Sequence, residues 1–243
     1  MRRHLPAVLL LASAFPSPAA AGPVTVDAAV TGVFTGPPVS GLTGLGTSQI
    51  VFGQGVGGSP PSSIGFVGGP VSGPSGSVVT LGQIYFFNGV IATTSIAPNP
   101  FDFALQVTIA LSGPSPATAT VTIPLSQFAS LNDGGPFDNA DTLTLTNPAT
   151  IAFSAGGWDY SLQVLGFGPA VGDGFGTANT LTVFEWGDTR SPANGSGLLT
   201  APLLGQVNAI GPSVVANPEP ASLAVFGLLA VGGALHARRR RAC

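Results

Sequence analysis

The chain has 243 residues, only 7% of them charged, against roughly a quarter in an average soluble domain. Between Gly22 and Asn217 nine acids meet a single base, Arg190, so this stretch carries a formal charge of −8. It contains no histidine, cysteine or lysine, which excludes thiol, imidazole and Schiff-base catalysis and soft metal ligation, while the lack of a basic patch excludes nucleic acid as a partner.

In chain order, the first element is an export signal. Met1-Arg2-Arg3-His4 precedes an apolar run from Leu5 to Phe15 and then small residues, the order of a secretory signal peptide. Ala19 and Ala21 fit an A-x-A exit with cleavage before Gly22, so residues 1–21 are expected to be removed by signal peptidase after delivery to the secretion translocon. Pro6, Pro16 and Pro18 argue against the alternative of an N-terminal core helix.

The middle reads as short strands separated by turn residues. Phe101 to Leu111 is the clearest, with Phe101, Phe103, Leu105, Val107, Ile109 and Leu111 on one face and Asp102, Gln106 and Thr108 on the other. Gly113-Pro114-Ser115-Pro116 then turns the chain, and Ala117 to Ile123 returns with its threonines on one face, which predicts an antiparallel hairpin. Further strands are expected at Ser48 to Phe52, Val78 to Phe87, Thr142 to Leu145, Ala149 to Ser154, Tyr160 to Phe167 and Leu181 to Trp186. Leu125 to Leu131 is the best candidate for a short helix. Gly53 to Gly76, interrupted by Ile64-Gly65-Phe66, reads as a long Gly/Pro/Ser loop, and residues 205–216 read as a spacer after a domain spanning 22–204. The predicted architecture is an all-β antiparallel sandwich of one domain, jelly-roll-like. Without cysteine in this stretch no disulfide can form within it, so sheet packing must supply its stability.

The C-terminus is a second address. Asn217-Pro218-Glu219-Pro220 leads into an uncharged run over 221–237, followed by Arg238, Arg239, Arg240 and Arg241. Seventeen helical residues reach roughly 25 Å, slightly short of a typical hydrocarbon core. The arginines predict a cytoplasmic end, leaving the middle outside. Cys243 matches no prenylation box.

The Pro218-Glu219-Pro220 triplet, the apolar helix and the arginine cluster together resemble the PEP-CTERM sorting signal over 217–243. The resemblance implies a Gram-negative bacterium, an exosortase that recognises and removes the tail, and a link to extracellular polysaccharide or biofilm matrix. Pro218, Glu219 and Pro220 would then be recognition residues, and Arg238 to Arg241 would set orientation. The middle resembles the choice-of-anchor K domain, in Thr43 to Ser48 leading into Ile50 to Gly53, Leu81-Gly82 with Tyr85-Phe86-Phe87-Asn88-Gly89, Tyr160 to Phe167, and Val183-Phe184-Glu185. That resemblance implies a fold and no known activity.

Carboxylates are the only abundant catalytic groups. Asp159, between Trp158 and Tyr160, and Glu185, beside Trp186, form the best glycosidase pair on chemical grounds; such a pair must stand about 5–9.5 Å apart across the sugar. Asp133, Asp138 and Asp141 lie in a segment with the hard oxygen ligands that suit calcium, although Asx turns explain its asparagines and Asp133 without an ion. The composite expectation is a non-enzymatic, cofactor-free surface or matrix protein with a structural or adhesive role, exported through the inner membrane and held there by its tail until processing. The alternatives are a carbohydrate-binding module using Trp158 or Trp186 as a stacking platform, and a carboxylate-dependent glycoside hydrolase.

Overall fold

A computed structural model describes residues 24–212, apart from 115, 131, 133–137, 148, 149 and 189–194. The strands in chain order are β1 (Thr25–Thr35), β2 (Leu42–Thr43), β3 (Gln49–Phe52), β4 (Ser62–Gly68), β5 (Pro70–Pro74), β6 (Val78–Phe87), β7 (Phe101–Gly113) and β8 (Ala117–Phe128). They continue as β9 (Asp141–Leu145), β10 (Thr150–Ala155), β11 (Trp158–Phe167), β12 (Val171–Gly172), β13 (Gly174–Gly176), β14 (Thr180–Val183) and β15 (Leu198–Pro212). All pairings are antiparallel. One sheet runs β13-β14-β9-β8-β7-β1-β5, and the other runs β10-β11-β15-β6-β4-β3-β2 with β12 also on β15. Among the described residues no helix is long and apolar enough to cross a membrane.

Alternation in the sequence builds the core. All six apolar positions from Phe101 to Leu111 are buried, and the β7–β8 hairpin closes with Leu111 opposite Ala117. Their inward side chains join those of the second sheet, including Ile50, Phe52, Ile64, Ile84, Phe86 and Leu203, in one hydrophobic cluster. Phe52 of the second sheet meets Phe101 of the first edge-on, with ring centres 5.5 Å apart, a preferred aromatic geometry. Phe66 enters a slot between Gly32 and Gly82, where an added Cβ would stand 2.7 Å and 2.5 Å from its ring.

Four sequence readings need correction. Leu125 to Phe128 continues β8 instead of starting a helix, because Leu125 and Gln127 keep the inward period of two. The stretch expected to be a loop over 53–76 contains β4 and β5, because Ser62, Ile64 and Phe66 alternate inward. Residues 205–212 are not spacer: β15 continues through them, with Leu203, Gly205 and Val207 buried and Leu204, Gln206 and Asn208 turned outward. The strand expected over Leu181 to Trp186 ends at Val183. The alternation of Val26, Ala28 and Val30 in β1 had no counterpart among the expected strands.

Candidate functional site

The densest buried polar cluster lies at the end of the sandwich where β6 leaves its sheet. Asn88, the first residue after β6, donates its N–H to Gly197 O at 2.8 Å and accepts from Trp186 N–H at 2.9 Å. Its Nδ2 donates to Asn139 O (3.1 Å) and Val183 O (3.0 Å). Both of those partners are carbonyls, so the amide nitrogen must face them and Oδ1 must be the other atom. Gly197 takes φ +64°, and a Cβ there would sit 2.8 Å from Asn88 O; its N–H donates to buried Asp173 Oδ2 at 2.9 Å. These bonds bring the chain after β6, the entrance to β9, the exit of β14 and the start of β15 to one point.

Asp141 opens β9 opposite Val183 and faces the interior, 1% exposed. Its Oδ1 accepts from Ser130 N–H at 2.8 Å and from Ser130 Oγ at 3.1 Å. Its Oδ2 is buried and receives no hydrogen bond. Burial, which disfavours the charged form, pushes this carboxyl from the ordinary 3.8 up to about 7; the Ser130 bonds oppose the rise and the nearby Glu185 carboxyl adds to it. Glu185 is itself buried, and its Oε2 accepts from Asn139 Nδ2 at 2.9 Å. Gln127, fully buried, lies on the inward face two positions along the β8–β9 ladder from Asp141, since it pairs with Leu143. Its Nε2 donates to Phe128 O at 3.0 Å, and its Oε1 has no partner. Asn88 Oδ1 is likewise buried without a donor.

The proposed glycosidase pair is not brought together. Asp159 lies opposite Gly211, at the far end of β15, where Ser154 Oγ donates to its Oδ1 at 2.6 Å. Glu185 lies at the other end, where Leu198 pairs with Phe87 next to Asn88. Gly211 and Leu198 are thirteen residues apart on one strand, roughly 40 Å at about 3.3 Å per residue. Two carboxylates so placed cannot flank one glycosidic bond. Asp159 instead lines a shallow cavity of about 490 Å³ with Phe153, Ser154, Tyr160 and Ile210.

The proposed calcium residues also divide. Asp141 is interior, Asp138 is exposed, and Asp133 lies outside the described residues. The acid whose charge acts on Asp141 is instead Glu185, from a segment 44 positions later. Asn88 and Gln127 were not singled out as site residues by the sequence reading. A signal for Gln127 was there: Ile123, Leu125 and Gln127 share one face, so an amide takes an apolar slot. Trp158 packs half-buried against the core, while Trp186 is 38% exposed. Ala19, Ala21, Gly22, Pro218 to Pro220, the run 221–237 and Arg238 to Arg241 lie outside the described residues.

A second feature lies on the outer surface of the second sheet. Gln49, Gly65, Tyr85 and Thr200 stand side by side across β3, β4, β6 and β15. Gly65 leaves the flank of Tyr85 uncovered, and a groove of about 210 Å³ runs there between Ser48, Gln49, Val67 and Tyr85. No charged side chain lines it. No protein-family model matches the chain, and no curated protein matches it in sequence.

Proposed function

We propose that the chain is an exported, non-enzymatic surface or matrix protein. Its jelly-roll-like sandwich serves a structural or adhesive role, and its PEP-CTERM-like tail is recognised by an exosortase. The observation that supports this reading is how closely the folded unit fits between the two terminal addresses. β1 starts at Thr25, three residues after the expected cleavage before Gly22, and β15 ends at Pro212, six residues before Pro218. Every strand among the described residues therefore lies in the part that would be released. The tether is also shorter than the sequence alone implied: Pro212 to Pro218 spans at most about 20 Å of extended chain. The sorting enzyme would work close to the end of the sandwich that carries Asp159 and Ile210.

The test is the intact mass of the protein from its native host, in membrane and medium fractions. A species running from near Gly22 to near Asn217 is expected, and Glu219→Gln should slow its appearance. A species that begins near Gly22 but retains Arg238 to Arg241 would overturn processing and leave a single-span surface protein.

The Tyr85 groove favours a second reading, a carbohydrate-binding role. An aromatic ring beside amide and hydroxyl groups, with no charge, suits a neutral sugar face. It also moves the stacking platform from the tryptophans to Tyr85. On this reading polysaccharide binding falls at least about tenfold, a loss of about 1.4 kcal/mol, in Tyr85→Ala and in Gly65→Val, while Trp186→Ala retains it. Retention in both groove variants would remove it.

A further inference from the structure

The buried cluster at the Asn88 end has an unusual imbalance. Its unsatisfied buried atoms Asp141 Oδ2, Asn88 Oδ1 and Gln127 Oε1 are all oxygens, and all are acceptors. Orphaned buried polar groups are rare and costly. A set made only of acceptors requires something positive or proton-bearing between them. A second buried carboxyl, Glu185, is held at the same end by Asn139 Nδ2. A neutral Asp141 carboxyl carries one proton and can serve only one neighbouring acceptor, whereas a cation serves the whole set.

Hydrogen bonds and strand pairing bring these residues to the same end of the sandwich. Asn88 Nδ2 is held between Asn139 O and Val183 O, and Val183 is the strand partner of Asp141. The side chain of Asn139, two residues before Asp141, holds Glu185. Gln127 reaches the same interior face from β8. These residues come from four separate stretches of chain, so the site exists only in the folded protein. Soft ligands are absent, and a set of carboxylate and amide oxygens is the donor set of calcium.

We propose that Asp141, Glu185, Asn88 and Gln127 enclose a hard divalent cation of the calcium class, which ties β8, β9, the end of β14 and the end of β6 together. Its two charges offset the two carboxylates, and its coordination uses the amide oxygens that the protein leaves unbonded. The ion would act as a structural pin, coupling this end of the sandwich to extracellular calcium. The inference does not depend on processing of the tail or on the Tyr85 groove.

The experiment uses the full chain, purified in mild detergent, stripped with EDTA and dialysed. Adding about 10 mM calcium chloride, near 100 times a dissociation constant typical of extracellular modules, should raise Tm by about 5–10 °C. Terbium ions, excited through tryptophan, should luminesce because Trp186 adjoins Glu185, and calcium should quench that signal by displacement. Asp141→Asn should abolish both responses, whereas exposed Asp102→Asn should keep them. If Asp141→Asn fails to fold, Glu185→Gln serves in its place, and the wild-type titration decides in either case. A calcium shift below about 1 °C overturns the site. A full shift retained in a folded Asp141→Asn variant also overturns it, because the ion then binds elsewhere.

Discussion

Each end of the sandwich has an acid next to a tryptophan in sequence, and the two acids have opposite surroundings. Asp159, next to Trp158, sits half-buried at an open cavity, where Ser154 Oγ donates to its Oδ1. Glu185, next to Trp186, is buried, accepts from Asn139 Nδ2 and acts electrostatically on a second carboxyl, Asp141. The difference lies in what the fold brings to each dipeptide. At the Asp159 end β10 is the edge strand of its sheet and the Asp159 carboxylate lines an open cavity beside it, so it keeps its hydration there. At the Glu185 end, chain from both sheets closes over the group, and interior electrostatics govern it.

The largest effect that tests this contrast is pH dependence in chelator. The Asp141 carboxyl is raised in the folded chain, from 3.8 to about 7, so the native state holds a proton that the unfolded state releases. Its contribution to stability is fully present below about pH 3.8 and is lost as pH rises through about 7. With EDTA present, stability should fall by on the order of 4 kcal/mol between pH 4 and 7 and then level off. Urea unfolding at stepped pH measures it, and Asp141→Asn should flatten the slope. A slope unchanged in that variant would mean that the Glu185 end is no more demanding than the Asp159 end. In chelator at pH 8 the asparagine variant should be the more stable protein, since its amide can donate toward acceptors that Asp141 leaves unbonded.

A smaller effect is expected from Asn88→Ala. Its amide serves Asn139 O and Val183 O, and both carbonyls would lose that donor inside the fold. The expected loss is about 2–3 kcal/mol by denaturant midpoint, with m unchanged. Asn88→Asp keeps the shape but presents an oxygen to two carbonyls and adds a third charge to the cluster. It should cost at least as much in chelator, and calcium should recover part of the loss.

Much of the architecture was readable along the chain and little of this cluster was. The six-position alternation of β7 and the bounds of β6 follow from period two, which is a local property. β4, β5 and the end of β15 escaped because glycine and proline dilute the same period. Gly65, Gly68 and Gly205 read as loop in one dimension, yet an added Cβ at Gly68 would stand 2.0 Å from Val30 O and one at Gly205 2.8 Å from Leu81. There glycine serves close approach between strands, which only the pairing reveals. Asp141 was singled out for its carboxylate-rich neighbourhood, but Asn88, which bonds its strand partner Val183, is 53 positions away and Glu185, whose charge acts on it, is 44 away. Nothing local joins them. The resemblance to a Phe-Asn-Gly element marked Asn88 only as part of a strand end, whereas in the fold its amide links chain after β6 of one sheet to β14 of the other.

The smallest expected effect lies at the other end, and it is the control that gives the contrast its meaning. Asp159→Asn keeps the hydrogen bond from Ser154 Oγ through the amide oxygen, and the neighbouring cavity stays open to water. Stability should change by less than about 0.5 kcal/mol at any pH from 4 to 8, with or without calcium, because the change keeps the side chain's shape and its Ser154 bond beside an open cavity. Differential scanning fluorimetry of this variant beside Glu185→Gln measures both ends on one scale. If Asp159→Asn proved as costly as Glu185→Gln, an acid beside a tryptophan would itself be the structural unit. If only the Glu185 change is felt, the cost follows enclosure by the two sheets, and the same dipeptide chemistry has two different physical meanings within one domain.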